Sequence, residues 1–347
     1  MDRNQAIAAT ARPDSIDVCR RTALRALGGA FSVMTLSACA SGEQTLKAPQ
    51  PSRVNPQLSS SHFISFDGAK LGLTVWRPAG DVLGVVIGVH GMNDYANAFH
   101  RAAPIWAEYG LVTYAYDQRG FGRSPERGIW PNEDVMRQDL RQAISLARRA
   151  HPRLPISVAG ISMGGAVAMT AAAELQGLDC DRLVLLAPGL RGWGALPSLW
   201  SVSLWLSTLL RPNWVVRPPR GIKIYPTDNF EMLRAHSLDP LTLKTNRIDA
   251  VRGVVALMEH AHAAAQHLPA KTFVAYGAND QVIPEQAMAR SAVLFPTHVR
   301  TAYYPQGYHM LTRDLNGDLV SHDAACFMVN PTTKLPSGAG PLPWTSS

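Results

Sequence analysis

Ile156-Ser157-Val158-Ala159-Gly160-Ile161-Ser162-Met163-Gly164-Gly165 is the stretch on which the reading of this chain turns. A short apolar run, 156–160, reads as a strand buried on both faces, and the alanine-rich segment 162–175 reads as the helix after it. Between them stands G-x-S-x-G. A serine held on so sharp a strand-to-helix turn tolerates no side chain on either flank, which is why glycine is needed at 160 and 164. Gly165 extends that allowance where the helix packs close to the sheet. The hydroxyl of Ser162 is thereby marked as a nucleophile. Because a serine hydroxyl is weak at neutral pH, the rest of the chain must supply a base and an acid that orients it.

Outward from the turn, strand and helix signals alternate. Segments 62–66 and 71–76, joined at Asp67-Gly68, read as a hairpin. Runs 82–89 and 111–116 read as strands, with helices over 98–109 and 132–149, the second capped by Asn132. Further strands are expected at 182–187, 272–276 and 299–304. This alternation implies an α/β fold with a mostly parallel central sheet flanked by helices. The connection 188–268 is far longer than such units need and reads as a cap inserted between strands. Its first part, 192–210, carries no charge and holds Trp193, Trp200 and Trp205. Burial against the core, a membrane span and an apolar lid all compete for it. Pro197 and its place between strands weaken the span, and a lid that lines an acyl-chain pocket or touches lipid is the expectation.

Candidate partners for Ser162 lie after later strands, at the carboxyl edge where open α/β sheets place their sites. Asp280, in Tyr276-Gly277-Ala278-Asn279-Asp280, is the candidate acid, and His309, in Gly307-Tyr308-His309-Met310, the candidate base. Asp314 and Asp318 are alternatives for the acid, since loops favour Asp whatever its role. His260, His262 and His267 compete for the base but belong to the insertion. Glu259-His260 lacks the second histidine of a zinc-binding helix, and no metal or cofactor is expected. Oxyanion donors are expected from the backbone N–H of Met163 and, in His90-Gly91-Met92-Asn93, of Met92. His90 itself reads as a residue bracing that loop.

These residues resemble the monoacylglycerol lipase and lysophospholipase branch of the α/β-hydrolase superfamily. The marks are His90-Gly91, Asp117-Gln118-Arg119-Gly120-Phe121-Gly122-Arg123-Ser124, Gly160 to Gly165, Asp280 with Ile283-Pro284, and Gly307-Tyr308-His309, in family order. The resemblance runs from about His62 to the helix holding Phe327. It implies a Ser162, Asp280, His309 triad under a helical cap, and hydrolysis of carboxylic esters through an acyl-enzyme. Met92-Asn93 stands where the family often has smaller residues. The expected substrate is a single-chain lipid ester, a monoacylglycerol or lysophospholipid. Small-ester hydrolase and peptidase are the alternatives among enzymes; a catalytically silent surface lipoprotein that binds a partner is the alternative outside them.

Composition bounds the remainder. The 347 residues are 46% hydrophobic and carry a net charge of +7, but the basic residues are scattered, so no nucleic-acid partner is expected. Arg20, Arg21 and Arg25 precede an uncharged stretch, 26–40, ending in Leu36-Ser37-Ala38-Cys39. That pattern reads as a lipoprotein signal peptide over 1–38, with Cys39 as the lipid-attachment residue, and Arg20-Arg21 also resembles a twin-arginine export signal. The domain plan expected is thus signal peptide 1–38, lipidated cysteine and flexible tether 39–61, core 62–187 and 269–335, cap 188–268, and tail 336–347. A bacterial cell-envelope location, with the chain held to the membrane by its N-terminal lipid, follows from the same reading. Cys180 and Cys326 either pair or remain buried thiols.

Overall fold

The computed structural model describes residues 54–217 and 223–345. Cys39 and the signal-like segment 1–38 lie outside the described residues. Strands β1 (Gln57–Leu58), β2 (His62–Ile64) and β3 (Lys70–Trp76) run antiparallel in succession. They continue into a sheet with β4 (Gly84–Val89), β5 (Leu111–Tyr116), β6 (Ile156–Ile161) and β7 (Arg182–Leu186). β8 (Val215–Val216) and β9 (Asn246–Arg247) pair apart from it, and β10 (Thr272–Gly277) and β11 (Arg300–Tyr304) complete it. The spatial order is β1-β2-β3-β5-β4-β6-β7-β10-β11, parallel from β5 onward. Every residue of β4, β5, β6 and β10 is buried. That is the environment their unbroken apolar runs demand, because strands covered on both faces have no polar side to show.

Helices fill the two faces. α1 (Ala102–Glu108) packs on one; α2 (Glu133–Ala150) and α3 (Met163–Ala173) pack on the other. The insertion between β7 and β10 contributes α4 (Ser198–Leu210), α5 (Phe230–Leu238) and α6 (Ile248–Ala264). α7 (Glu285–Ala292) and α8 (Gly317–Val329) follow. Val85, Ile87 and Val89 of β4 face α2, α3, α6 and α7, whereas Val86 faces Trp106 of α1 and Phe327 of α8. This is the period-two alternation of a strand between two cores. α2 is capped as its sequence suggests. The Asn132 side chain accepts from Asp134 N–H, acids occupy its first turn, and Arg148 and Arg149 its last, which complements the helix dipole.

A buried ionic latch braces the edge of the core beside the β2–β3 turn. Arg119 bonds Asp67 in that turn and Asp139 on α2, each at 2.7 Å. Burial pushes the Asp139 carboxyl up, and the Arg119 hydrogen bonds oppose that. Removing one partner of so enclosed a set costs about 3–5 kcal/mol, because the other charge is left uncompensated. The Arg119–Ser124 loop is held by Asp117, whose carboxylate accepts from Ala96 N–H at 2.9 Å and Arg123 N–H at 2.8 Å.

Three local features differ from the sequence reading, and a fourth decides between its alternatives. Residues 57–58, assigned to the tether by their polar surroundings, form β1 on β2. The helix expected over 98–109 is split into a 3₁₀ turn, Ala96–Phe99, and α1, which lets Phe99 and Trp106 both reach the sheet. The segment assigned as tail packs along β11. Tyr303 N–H donates to Gly340 O at 2.8 Å, Leu342 is buried, and Trp344 lies edge-on to Tyr276 and Tyr303. Most consequentially for function, α4 buries none of its residues. Leu199, Trp200, Val202, Trp205 and Leu206 are all exposed, so the uncharged run is a surface rather than core. Among the described residues no helix is long and apolar enough to cross a membrane.

Candidate active site

Ser162 adopts φ 51° and ψ −117° between β6 and α3. A non-glycine residue there costs on the order of 1–3 kcal/mol and persists only where surrounding structure enforces it. The enforcement is visible. Ser162 N–H donates to Leu186 O at 3.1 Å, and its carbonyl accepts from Gly189 N–H at 2.8 Å and Ala166 N–H at 3.1 Å. A Cβ on Gly160 would sit 2.7 Å from Gly164 O, and one on Gly164 would be driven into the carbonyl oxygens of Val89 and His90. The two glycines therefore let the first turn of α3 close onto the ends of β6 and β4.

His309, in the loop after β11, places Nε2 2.9 Å from Ser162 Oγ, and its Nδ1 lies 2.7 Å from Asp280 Oδ2. Asp280, in the loop after β10, accepts from the N–H groups of Val282 and Ile283 at 2.8 Å each through its other oxygen. Ser162, Asp280 and His309 are all buried. With Asp280 accepting at Nδ1–H, Nε2 is left with its lone pair toward the hydroxyl, the tautomer needed to take a proton from it. The close approach of the two supporting loops depends on Gly277 and Gly307. A Cβ on Gly307 would stand 3.1 Å from Gly277 Cα.

The 90–93 loop passes directly over the serine. A Cβ on Gly91 would stand 3.3 Å from Ser162 Cβ. Met92 follows it, and Met163 opens α3, where the first backbone N–H groups have no helical acceptor. The two residues expected as oxyanion donors thus follow, in sequence, the glycine that lies over Ser162 and Ser162 itself. The loop is fixed from below by His90, which is fully buried. Its Nδ1–H donates to Gly91 O at 2.7 Å, its Nε2 accepts from Gln118 N–H at 2.8 Å, and Gln118 Nε2 donates to His90 O at 2.8 Å. Burial holds its pKa below the usual histidine value, against the raising effect of the Gly91 contact. The brace is a neutral imidazole. Arg313 bonds Asp94 at 2.5 Å, both buried, and ties this loop to the one carrying His309.

The rival residues are placed elsewhere. Asp318 is exposed and paired with Arg101; Asp314 accepts from Tyr308 N–H at 2.7 Å. His260 meets Glu133 at the surface, His262 meets Ser291, and His267 is exposed. Cys180 and Cys326 are free thiols, with burial pushing the first up to about 12. No cluster of metal-ligating side chains occurs among the described residues. Gln118, Asp94 and Arg313 escaped the sequence reading as site residues. The Asp117–Ser124 motif could have flagged Gln118; nothing in the spacing links Asp94 to Arg313.

Comparison with known proteins bears on the fold and the family. A monoacylglycerol lipase of Mycolicibacterium smegmatis is 28% identical over 293 residues, covering 80% of this chain and 99% of that protein. The human monoglyceride lipase is 29% identical over 134 residues, covering 38% of this chain and 44% of the relative. Among solved structures, a soluble variant of Saccharomyces cerevisiae monoglyceride lipase with a substrate analogue superposes with a TM-score of 0.65 at 17% identity, over 83% of this chain and 99% of that one. A Bacillus coagulans carboxyl esterase gives 0.62 at 22% identity, over 77% and 96%. These two show the fold. The Hydrolase_4 family, described as serine aminopeptidase, S33, matches residues 80–316. The chain belongs to that family, and it is a serine hydrolase with the α/β-hydrolase fold.

Proposed function

We propose that the protein hydrolyses carboxylic esters of single-chain lipids, a monoacylglycerol or lysophospholipid, through an acyl-enzyme on Ser162. The observation that carries the chemistry is the relay from Ser162 Oγ through His309 to Asp280, at 2.9 and 2.7 Å. Ser162 Oγ attacks the ester carbonyl carbon as its proton passes to His309 Nε2. Asp280, fixed by two backbone amides, holds the imidazole and stabilises the charge it gains. The carbonyl oxygen becomes an oxyanion between the N–H groups of Met92 and Met163. Collapse breaks the carbon–oxygen bond, and His309 returns the proton to the departing alcohol. Water, deprotonated at the same nitrogen, then attacks the acyl-enzyme and releases the acid. No cofactor is required for any of these steps.

The lipid part of the reading is supported by the relatives named above and by the exposed apolar surface of α4, which suits an acyl chain or a lipid interface. We extend the proposal to anchoring of the chain at a bacterial membrane through Cys39, supported by the Leu36-Ser37-Ala38-Cys39 pattern. The family description also names an aminopeptidase, and fold alone does not fix the leaving group. The test is fluorophosphonate labelling of folded protein followed by an ester panel of rising acyl length. Labelling of wild type and not of Ser162→Ala, with activity rising toward lipid-length chains, is the expected result. Cleavage of aminoacyl-arylamides with no ester turnover would move the assignment to a peptidase. Absence of labelling would leave a silent binding protein. For the anchor, incorporation of a clickable palmitate that survives Cys39→Ala would sink the proposal.

A further inference from the structure

Among the described residues the buried aspartates have a cationic partner or several hydrogen bonds, with one exception. Asp94 pairs with Arg313, Asp117 with Arg123, Asp139 with Arg119, and Asp280 with His309. Asp323, without a cation, receives Tyr304 Oη–H and the Ser337 amide. Asp314 is 3% exposed, has no ion pair among the described residues, and accepts Tyr308 N–H through Oδ2 while Oδ1 has no hydrogen-bond partner. Leaving a buried carboxylate half-satisfied is unfavourable. A fold that keeps one beside its proposed base invites a functional account.

We infer that Asp314 is a positioning residue for His309, fixing the loop that carries the imidazole and linking it to the insertion above. This rests on the triad reading given under Proposed function. The hydrogen bond it receives comes from Tyr308, the residue immediately before His309. Met310, immediately after, donates its N–H to Pro226 O at 2.8 Å, and Leu315 N–H donates to Asp228 Oδ1 at 2.8 Å. The base is therefore clamped on both sides, once by Asp314 and once by the 226–228 segment of the insertion. Thr227 of that segment lies close enough to the Asp314 carboxyl to favour the charged form. The charged groups facing its carboxyl are Asp228, which repels its charge, and His309, which in the imidazolium form attracts it. Arg101 binds the Asp314 carbonyl oxygen at 3.0 Å rather than its side chain. Arg313, next in the chain, is engaged with Asp94. Burial raises the Asp314 carboxyl to about 6. It is ionised where a histidine base works, and so placed to favour the positive imidazole that forms as Ser162 loses its proton.

The test measures kcat and KM on a short soluble p-nitrophenyl ester from pH 5 to 9, with thermal melts, for wild type, Asp314→Ala and Asp314→Asn. The alanine removes the acceptor for Tyr308 N–H. It is expected to lower kcat about 10- to 100-fold with KM within about threefold, the scale of a small displacement of a reacting group. Asparagine keeps an acceptor oxygen without the charge, so it should recover most of that kcat. It should also move the acid limb of kcat/KM to lower pH, because His309 loses a neighbouring negative charge. If alanine does not fold, the asparagine pH profile decides alone. An acid limb unmoved in Asp314→Asn, or a folded Asp314→Ala with kcat within twofold of wild type, overturns the inference. A wild type without esterase activity overturns instead the reading on which it rests.

Discussion

Replacing His90 with alanine tests whether the loop over Ser162 is braced as the geometry indicates. The imidazole is fully buried and spans two backbone groups, donating to Gly91 O and accepting from Gln118 N–H. Gly91 O keeps a second donor, Asp94 N–H at 3.3 Å, so its loss is slight. Gln118 N–H keeps nothing. One orphaned buried amide costs about 1–3 kcal/mol, and the void left by the ring adds a further ~1–2 kcal/mol, so destabilisation of about 2–5 kcal/mol is expected. Catalysis should fall too, because the loop that carries the Met92 amide loses its support. Complete removal of an oxyanion donor costs about 10²–10³ in kcat, so partial displacement should cost roughly 10- to 100-fold. Urea unfolding gives the first quantity, and turnover of a soluble ester, at a temperature where the variant remains folded, gives the second. The pH dependence adds a third check. Because burial holds the folded-state pKa of His90 below its unfolded value near 6.5, the stability it contributes is present above that pH and is lost as pH falls below it. His90→Ala should lose that part of the acid sensitivity. Destabilisation under about 1 kcal/mol together with kcat within twofold of wild type would refute the brace.

Asp280→Asn should leave KM within a few-fold while lowering kcat by roughly 10⁴, since the amide favours the wrong imidazole tautomer; steady-state kinetics on a soluble ester measures it. Trp200→Ser combined with Trp205→Ser should reduce hydrolysis of lipid esters in vesicles by about tenfold and leave soluble-ester turnover unchanged, as expected for two exposed rings that meet lipid. An equal loss on both substrates would instead implicate the fold of the insertion. Asp314→Asn should stabilise the protein above pH 6. Its folded-state pKa of about 6 lies above the usual 3.8, so the acid favours the fold below 3.8 and that contribution is lost as pH rises through 6. A gain of about 1–3 kcal/mol at pH 8, vanishing below pH 4, is the expected outcome of denaturant melts compared at the two pH values.

How much of this was legible in the sequence depends on the range of the forces involved. The turn at Ser162 could be read because its steric demand is local: Gly160 and Gly164 sit within four residues of each other, and their absent side chains are needed whatever the rest of the chain does. The burial of β4, β5, β6 and β10 could be read because an unbroken apolar run has no polar face to expose. Asp280 and His309 could be singled out by their order after strands, and the fold does bring both to Ser162. Short-range signals failed where partners are remote. β1 exists because Gln57 and Leu58 meet Ile64 and Phe63, and the segment past 335 is ordered by contacts with Thr301, Tyr303 and Tyr276.

The uncharged run of α4 shows a different limit. A sequence without charge between two strands has the composition of core, of lid and of membrane span alike, and its hydrophobic pattern does not choose among them. What chooses is whether other elements leave room. The face of the sheet beneath α4 is filled by α2, α3, α7 and the insertion's own α6, so α4 has no core left to enter and turns Leu199, Trp200 and Trp205 outward. A later stretch of the insertion, residues 226–228, meets the His309 loop. One inserted segment therefore presents apolar surface in α4 and holds the proposed base through residues 226–228. The proposed contact of α4 with lipid and the setting of His309 share a backbone, with Asp314 at the junction where any coupling between them would be felt.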